Sequence, residues 1–337
     1  MYEEYFGFSE KPFSLTPDPK YLYKSASHAI AFELLQYAIR RREGFVVITG
    51  DIGTGKTTLC RAILEQIDRK TFTALVLNPF LAEEDLLRLI LQEFGVVSRD
   101  EIKRGRLLGV SKAALVETFN EFLLSLQRIG AQAVLIVDEA QNLPFEVLEQ
   151  IRILSNLETE KEKLLQIVLV GQSNLKGLLR RAELRQLDQR VSIRYDLQPL
   201  SREETAAYVQ HRLSVAGGGA AVRFTPRALA RVHRYSSGIP RLINLLCDRA
   251  LLSAYSAHSA RIVPGLVQGA AQSLELRRAR PSIRAWVRHR FGAFAAGVVL
   301  AAVLGAGSAA VWHYRVDAAR IVRALHRTSD QVVADRQ

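Results

Sequence analysis

Between Gly44 and Pro199, short apolar runs alternate with stretches in which apolar residues recur every three or four positions. The runs Phe45 to Thr49, Thr73 to Leu77, Val134 to Val137, Ile167 to Val170 and Val191 to Leu197 have the length and apolar character of strands buried on both faces of a parallel sheet. Helical spacing fills the intervals: from the loop after Thr49 to Asp68 (Leu59, Ile63, Ile67), through Phe94, from Ser111 to Arg128, and on to Leu157. Such alternation requires helices on both faces of a parallel sheet and gathers ligands at the carboxyl edge of its strands. From Ser201 the pattern becomes all helical. Ser201 with Glu204 makes a capping box, Thr225-Pro226 gives an N-cap followed by proline, and Gly238-Ile239-Pro240 separates two more helices. Gly217 to Gly219 reads as a loop between them. Ahead of all this lies an aromatic lead-in (Tyr5, Phe6, Phe8, Phe13, Tyr21, Tyr23), expected to pack against a domain flank, and a helical pattern from His28 to Arg41.

The first strand run leads into Gly50-Asp51-Ile52-Gly53-Thr54-Gly55-Lys56-Thr57-Thr58, which holds G-x-x-x-x-G-K-[ST] between a strand and a helix. Glycines let the backbone curl so that successive N–H groups point inward at phosphates, and the helix N-terminus adds its dipole. On this reading Gly50 to Thr58 cradle a nucleotide, Lys56 reaches the β- and γ-phosphates, and Thr57 places its hydroxyl on Mg²⁺. The second half of the site is the run Ala133 to Val137, which delivers Asp138 and Glu139 at a strand end. Asp138 is expected to hold Mg²⁺ through its hydration shell, and Glu139 to orient and activate the attacking water. Paired acids favour carboxylate-assisted hydrolysis over a GTPase switch, and the chain has no N-K-x-D guanine-reading motif, so ATP is the expected nucleotide. The fold expected is a P-loop NTPase of AAA+ outline: a three-layer α/β core with a parallel sheet, followed by a helical lid.

Charge and hydropathy add a second theme. The net charge of +12 over 337 residues is concentrated late in the chain. Residues 277–290 hold six arginines and no acid, and the tail from His313 has five arginines against three aspartates; removing both leaves +4 on residues 1–276. Between them, Phe291 to Trp312 are twenty-two residues without a charge, long enough at ~1.5 Å per residue to cross a bilayer. Gly297, Ala301, Gly305 and Ala309 form a small-residue stripe along it, suited to close helix association. The acidic N-terminus, without an apolar core, is not a signal peptide. Cys60 and Cys247 have no metal or redox spacing and read as core residues of a reducing compartment. The expected organisation is a lead-in and helix over 1–44, an ATPase core over 45–199, a lid over 200–276, a basic juxtamembrane segment over 277–290, a transmembrane helix over 291–312 and a short tail over 313–337. The ATPase would face the cytosol from the inner membrane, with the arginines drawn to anionic lipid.

Taken as a series, MYEEYFGFSEKPFSLTPDP, GDIGTGKTTL, LIVDEAQNL, LEQIRILSNLET, LLQIVLVGQ, LRQLDQRVSIRY and SGIPRLINLLCDRALLSA resemble the ExeA/GspA group of AAA+ ATPases, from general secretion and related envelope-assembly systems. The resemblance covers about residues 1 to 275. It implies an ATP hydrolase tied to the inner membrane by one helix, forming homo-oligomers and working with assembly or export proteins in secretion, pilus or exopolysaccharide systems. It further implies that Gln172, with Asn174 as the near alternative, is a sensor contacting the γ-phosphate or attacking water. Arg190, or else Arg185, would be an arginine finger offered to a neighbouring subunit, and Arg241 a second sensor linking lid position to nucleotide. The best-known members carry a peptidoglycan-binding module beyond the membrane helix. Only 25 residues follow Trp312 here, which argues against direct peptidoglycan binding.

Two other functions compete with this one. A DNA-handling AAA+ protein of the transposition-helper type shares the core, but the mildly basic ATPase part, the lack of a winged-helix segment and the uncharged span argue against nucleic acid. A nucleotide-gated binding module with little turnover fits the loop and fits poorly with an intact Asp138-Glu139 pair.

Overall fold

A computed structural model describes residues 2–77, 82–98, 109–160, 162–217 and 222–276, with a few positions between 100 and 107. Five strands, β1 (Phe45–Gly50), β2 (Thr71–Val76), β3 (Gln132–Val137), β4 (Leu165–Gly171) and β5 (Ile193–Leu197), form one sheet in the order β2-β3-β4-β1-β5. Every pairing in it is parallel; Phe45 faces Ile167 across β1 and β4, and Val46 faces Ile193 across β1 and β5. Side chains alternate between the two faces, as the pleat demands. Phe45, Val47, Leu135, Val137, Ile167 and Leu169 join one core with helices α4 (Glu83–Glu93), α5 (Lys112–Arg128) and α6 (Phe145–Leu154) and the short α7 (Leu175–Leu179) and α8 (Arg185–Gln189). Val46, Ile48, Val134, Ile136, Val168 and Val170 join the other with α2 (Ala26–Arg41) and α3 (Lys56–Leu64). Apolar residues on both faces of each strand are what bind two helical layers to one sheet.

Three strands begin earlier than their apolar runs. Thr71, Gln132 and Gln166 are drawn into the sheet because their side chains bond across it: Gln132 Nε2 donates to Thr71 Oγ1 at 2.6 Å and Gln166 Nε2 to Gln132 Oε1 at 3.2 Å. Polar strand starts are invisible to a reading based on apolar runs; their burial is offset by these bonds, although among the described residues the Gln166 Oε1 is buried without a partner. Conversely β5 starts at Ile193, two residues later than expected, and α3 ends at Leu64, short of Asp68.

After the sheet come α9 (Arg202–Val215), α10 (Pro226–Ser236), α11 (Pro240–Ser256) and α12 (Pro264–Ser273). The Ser201–Glu204 capping box forms with both of its bonds, and Thr225 caps α10. This part is not wholly helical. Arg223–Phe224 and Arg261–Ile262 pair as a two-residue parallel ladder, too short to leave a period-two signal. The lead-in finds its place here too. Helix α1 (Tyr2–Phe6) and Phe8 and Phe13 share a core with α9 to α12, and Tyr2 donates to Asp248 Oδ1 at 2.5 Å. Cys60 and Cys247 are both buried and unpaired. The basic segment, the apolar span and the tail expected over 277–337 lie outside the described residues; among those described, no helix is long and apolar enough to cross a membrane.

Candidate nucleotide site

At the carboxyl edge of β1 the chain turns through Gly50 to Gly55 into α3. Three glycines there are required for different reasons. A Cβ on Gly50 would stand 2.9 Å from the Leu197 carbonyl oxygen of the neighbouring strand. Gly53 and Gly55 have φ of +80° and +99°, a region that strains any L side chain. A Cβ on Gly53 would also lie 2.5 Å from Arg241 Cβ, because α11 docks on this loop with the Arg241 N–H donating to the Gly53 carbonyl at 3.1 Å. Helix α3 starts without a side-chain cap, so the N–H groups of its first turn lack helical acceptors and face the loop.

Lys56 is 5% exposed, and its Nζ donates to the carbonyls of Gly50 and Asp51, each at 2.9 Å. Burial lowers its pKa, opposed by the nearby charges of Glu139, Asp138 and Asp51. No carboxylate lies within ion-pair distance of it among the described residues, so the buried cation is held by loop carbonyls and only longer-range carboxylates. That is the fit a polyphosphate needs. Thr57 Oγ1 donates to Asp138 Oδ2, joining the loop to the end of β3. The donor set at that junction, a hydroxyl beside a carboxylate that is 2% exposed, suits Mg²⁺, which prefers oxygen ligands.

Glu139 adopts the left-handed conformation, φ 53° and ψ 33°, and its N–H donates to Asp138 Oδ1 at 2.8 Å. This turn separates two adjacent carboxylates: Asp138 stays with Thr57, while Glu139 lines the cleft. Gln141 Nε2 donates to Glu139 Oε2 at 2.6 Å, and Gln141 Oε1 accepts the Gln172 N–H at 2.8 Å. Gln172 Nε2 lies 3.4 Å from the same Glu139 oxygen. Among the described residues no hydrogen bond joins the Asn174 side chain to this cluster; Asn174 stands at the start of α7. Arg241 lines the cleft. Arg190 does not: its Nη1 donates to Ser155 Oγ at 3.0 Å and approaches the Ser155 carbonyl at 3.4 Å. Arg185 opens α8 and is exposed.

Residues 39–179 match a family model described as an AAA domain. Over 271 residues the chain is 47% identical to general secretion pathway protein A of Aeromonas hydrophila, a match that covers 80% of this chain and 48% of that protein. The chain belongs to this group of AAA+ ATPases. It spans about half the length of the curated relative it matches. Among solved structures, the Aeropyrum pernix ORC2 protein in its ADPNP-ADP complexes is similar with a TM-score of 0.61 at 17% identity, covering 79% of this chain and 72% of that one. The Thermotoga maritima RuvB Holliday junction branch migration motor is similar with a TM-score of 0.50 at 20% identity, covering 74% and 69%. At such identities the likeness is one of fold.

In this AAA+ chain the cleft has walls beyond the phosphate loop and the acidic end of β3. Ser14 to Asp18 and Tyr21 to Tyr23 line it from the lead-in, and Leu200, Tyr208, Arg212 and Asn244 from the helical part. Arg212, 5% exposed, anchors the lead-in there: Nε donates to the Pro12 carbonyl at 2.5 Å, Nη2 to the Ser14 carbonyl at 3.1 Å and Nη1 to the Tyr208 hydroxyl at 3.0 Å. Its guanidinium lies 4.3 Å from the Tyr21 ring centre. On the core side, Arg61 of α3 donates to the Pro17 carbonyl at 2.8 Å. His28 braces the loop, with Nε2 3.0 Å from the Thr54 carbonyl and Nδ1 2.7 Å from Ser25 Oγ. Burial lowers its pKa, so the ring is neutral near pH 7, Nε2–H donating to the carbonyl and Nδ1 accepting from the serine. His28 and Arg212 belong to no motif, and Gln141, though within LIVDEAQNL, has no role assigned by it. A polar residue inside an apolar helical pattern was the one available signal for His28; Arg212 pairs with groups 200 residues away, which no local pattern encodes.

Proposed function

We propose that this protein is a membrane-anchored AAA+ ATPase that couples ATP binding and hydrolysis to the assembly or operation of a bacterial envelope system for secretion, pilus formation or exopolysaccharide export. The observation that carries the reading is one cleft lined by a buried lysine without an ion-pair partner among the described residues, by Thr57, whose hydroxyl bonds the buried Asp138, and by a separately oriented glutamate. Gly50, Asp51, Ile52, Gly53, Thr54, Gly55, Lys56, Thr57 and Thr58 would bind the phosphates, and Thr57 with Asp138 would hold Mg²⁺. When bound, Mg²⁺ supplies charge neutralisation on the phosphate oxygens. Glu139 would orient the attacking water and take its proton; the amide of Gln141 holds that carboxylate in place, and Gln172, beside it, would sense the γ-phosphate. Arg241 ties lid position to the nucleotide, since α11 touches the loop at Gly53.

Arg190, absent from the walls of its own cleft, is offered to the site of a neighbouring subunit, where transition-state charge develops. The relative's name, general secretion pathway protein A, supports the envelope setting; residues 291–312 would supply the anchor and residues 277–290 the contact with anionic lipid. Lys56→Ala is expected to abolish tight ATP binding, while Glu139→Gln keeps binding and stops turnover. Nucleotide affinity and steady-state hydrolysis measured on both variants test this. Hydrolysis at the parent rate by Glu139→Gln removes that residue from the base role.

A further inference from the structure

Charge is segregated within the first 276 residues. Residues 1–199 sum to −1, whereas residues 200–276 hold nine arginines against four acids, a charge of +5. Between Glu204 and Glu275 there is a single acid, Asp248, and its Oδ1 accepts from Tyr2. Several of these arginines are brought together by the fold. Arg223 and Arg261 stand opposite each other in the two-residue parallel ladder, and both are exposed. Like charges facing across a strand pair repel. Arg227, Arg231 and Arg234 recur at the spacing that shares one face of α10, beside its buried row Ala228, Val232 and Tyr235. Arg231 joins that face to α12, donating to the Pro264 carbonyl at 3.3 Å and to Gln268 Oε1. Among the described residues no carboxylate lies within ion-pair distance of any of these five arginines. The lid thus carries a basic face whose mutual repulsion nothing in the described chain offsets.

We propose that this arginine face of the lid seats on anionic lipid headgroups, a second membrane contact separate from residues 277–290. Two observations select lipid among polyanions. The first is reach: residues 277–290 are all that separates the lid from the apolar span, and fourteen residues extend no further than about 50 Å. A lid held that close to a bilayer meets it at high effective concentration, so a few unpaired arginines suffice to bring it down. The second is Val263, two residues after Arg261 and 40% exposed, the one exposed large apolar side chain among the described residues of the lid. Basic residues around an exposed apolar one suit the boundary between headgroups and acyl chains. Nucleic acid is the weaker fit, because no exposed aromatic accompanies the arginines among the described residues of the lid to stack on bases. This inference rests on the reading of residues 291–312 as a membrane span.

The test places a fluorophore at Val263→Cys in the full chain; the native Cys60 and Cys247 are buried and stay unlabelled. Vesicles of phosphatidylcholine, with or without phosphatidylglycerol, carry brominated lipid that quenches a label seated at the bilayer. Quenching is expected with phosphatidylglycerol, not with phosphatidylcholine alone, and high salt should release it. Each arginine near an anionic surface is worth about fivefold in partitioning, so combining Arg223→Gln, Arg227→Gln and Arg261→Gln should cut the quenching at least fivefold while the melting temperature and ATP binding stay at the parent's values. Equal quenching with and without phosphatidylglycerol overturns the proposal. So does quenching that survives the triple substitution, which assigns the contact to residues 277–290. A label that no vesicle quenches but whose anisotropy rises with duplex DNA gives the face to nucleic acid. Flotation of the same protein with phosphatidylcholine vesicles at alkaline pH reports the span by itself. A chain that fails to float yet is quenched by phosphatidylglycerol vesicles loses the anchor and keeps the lid contact; one that floats without quenching keeps the anchor and loses the lid contact.

Discussion

Among single residues, His28, which braces the nucleotide loop, is expected to make the site sensitive to acid. Its pKa is lowered from the ordinary 6.5, first by burial, with the Thr54 carbonyl and the Glu204 charge pulling the other way. A histidine depressed in the folded state binds fewer protons than in the unfolded chain. Its contribution to stability is therefore complete above pH 6.5 and is lost as pH falls through the folded value. His211 and His233 are shifted in the same direction, so the isolated effect of His28 is a difference between proteins. The melting temperature of the parent should fall on acidification below about pH 6.5, and His28→Gln should flatten that fall. Equal slopes for the two proteins between pH 7 and pH 5 would show that the ring carries no such linkage. Because His28 holds the Thr54 carbonyl and abuts Gly55, acidification should also loosen nucleotide binding before the fold is lost.

Among elements, the short segment between Pro12 and Tyr23 has the largest consequence for its size. It crosses from Arg212 on α9 to Arg61 on α3, lining the cleft as it goes. Arg212→Ala would leave the buried Pro12 carbonyl, the partly buried Ser14 carbonyl and the Tyr208 hydroxyl without their donor. Hydrogen bonds to charged groups contribute about 1.5–3 kcal/mol each, and non-additivity among three sharing one cation brings the expected loss to about 3 kcal/mol. Denaturant unfolding measures that loss, and ATP titration should show weaker binding, because the cleft wall moves with the segment. Arg212→Lys keeps the charge but not the planar fork, so it should recover only part of either quantity. Unchanged nucleotide affinity in a stable Arg212→Ala protein would reduce the segment to a structural strap.

At the scale of the whole molecule the questions are how copies combine and what holds them at a surface. With Arg190 acting in trans, hydrolysis should rise with protein concentration, and mixing Arg190→Ala with Lys56→Ala should regain part of the activity, one copy bringing an intact loop and the other an intact finger. An Arg190→Ala protein that is fully active alone, with no rescue at any ratio, would remove the finger role. Residues 291–312 are proposed to span the inner membrane, flanked by six arginines that attract anionic headgroups at roughly 1 kcal/mol each. Truncation after Leu276 should give a soluble protein that still binds ATP, while the full chain resists extraction by salt or alkali. A full chain that washes off in high salt would reduce the arginines to a peripheral patch and bring back phosphate-backbone binding with its steep salt dependence.

The parts that could be read without coordinates are those written in consecutive residues. Apolar runs ending in Gly50 and in Asp138-Glu139 declare strands because burial on both faces demands uninterrupted hydrophobicity, and the loop declares itself because only glycine tolerates its backbone. The Ser201–Glu204 cap is likewise local, complete within four residues. What folding alone decided is everything that pairs distant residues. Gln132 and Gln166 enter the sheet through side-chain bonds to other strands; the aromatic lead-in completes a helical core that begins 200 positions later; and Gln141, His28 and Arg212 gain their places from partners 31, 26 and 200 residues away. Strand order belongs to the same class, since β1 lies between β4 and β5 in space and before β2 in the chain. Periodicity records which face of an element meets apolar surroundings, but not whose surroundings they are, and polar contacts across the fold leave no period at all.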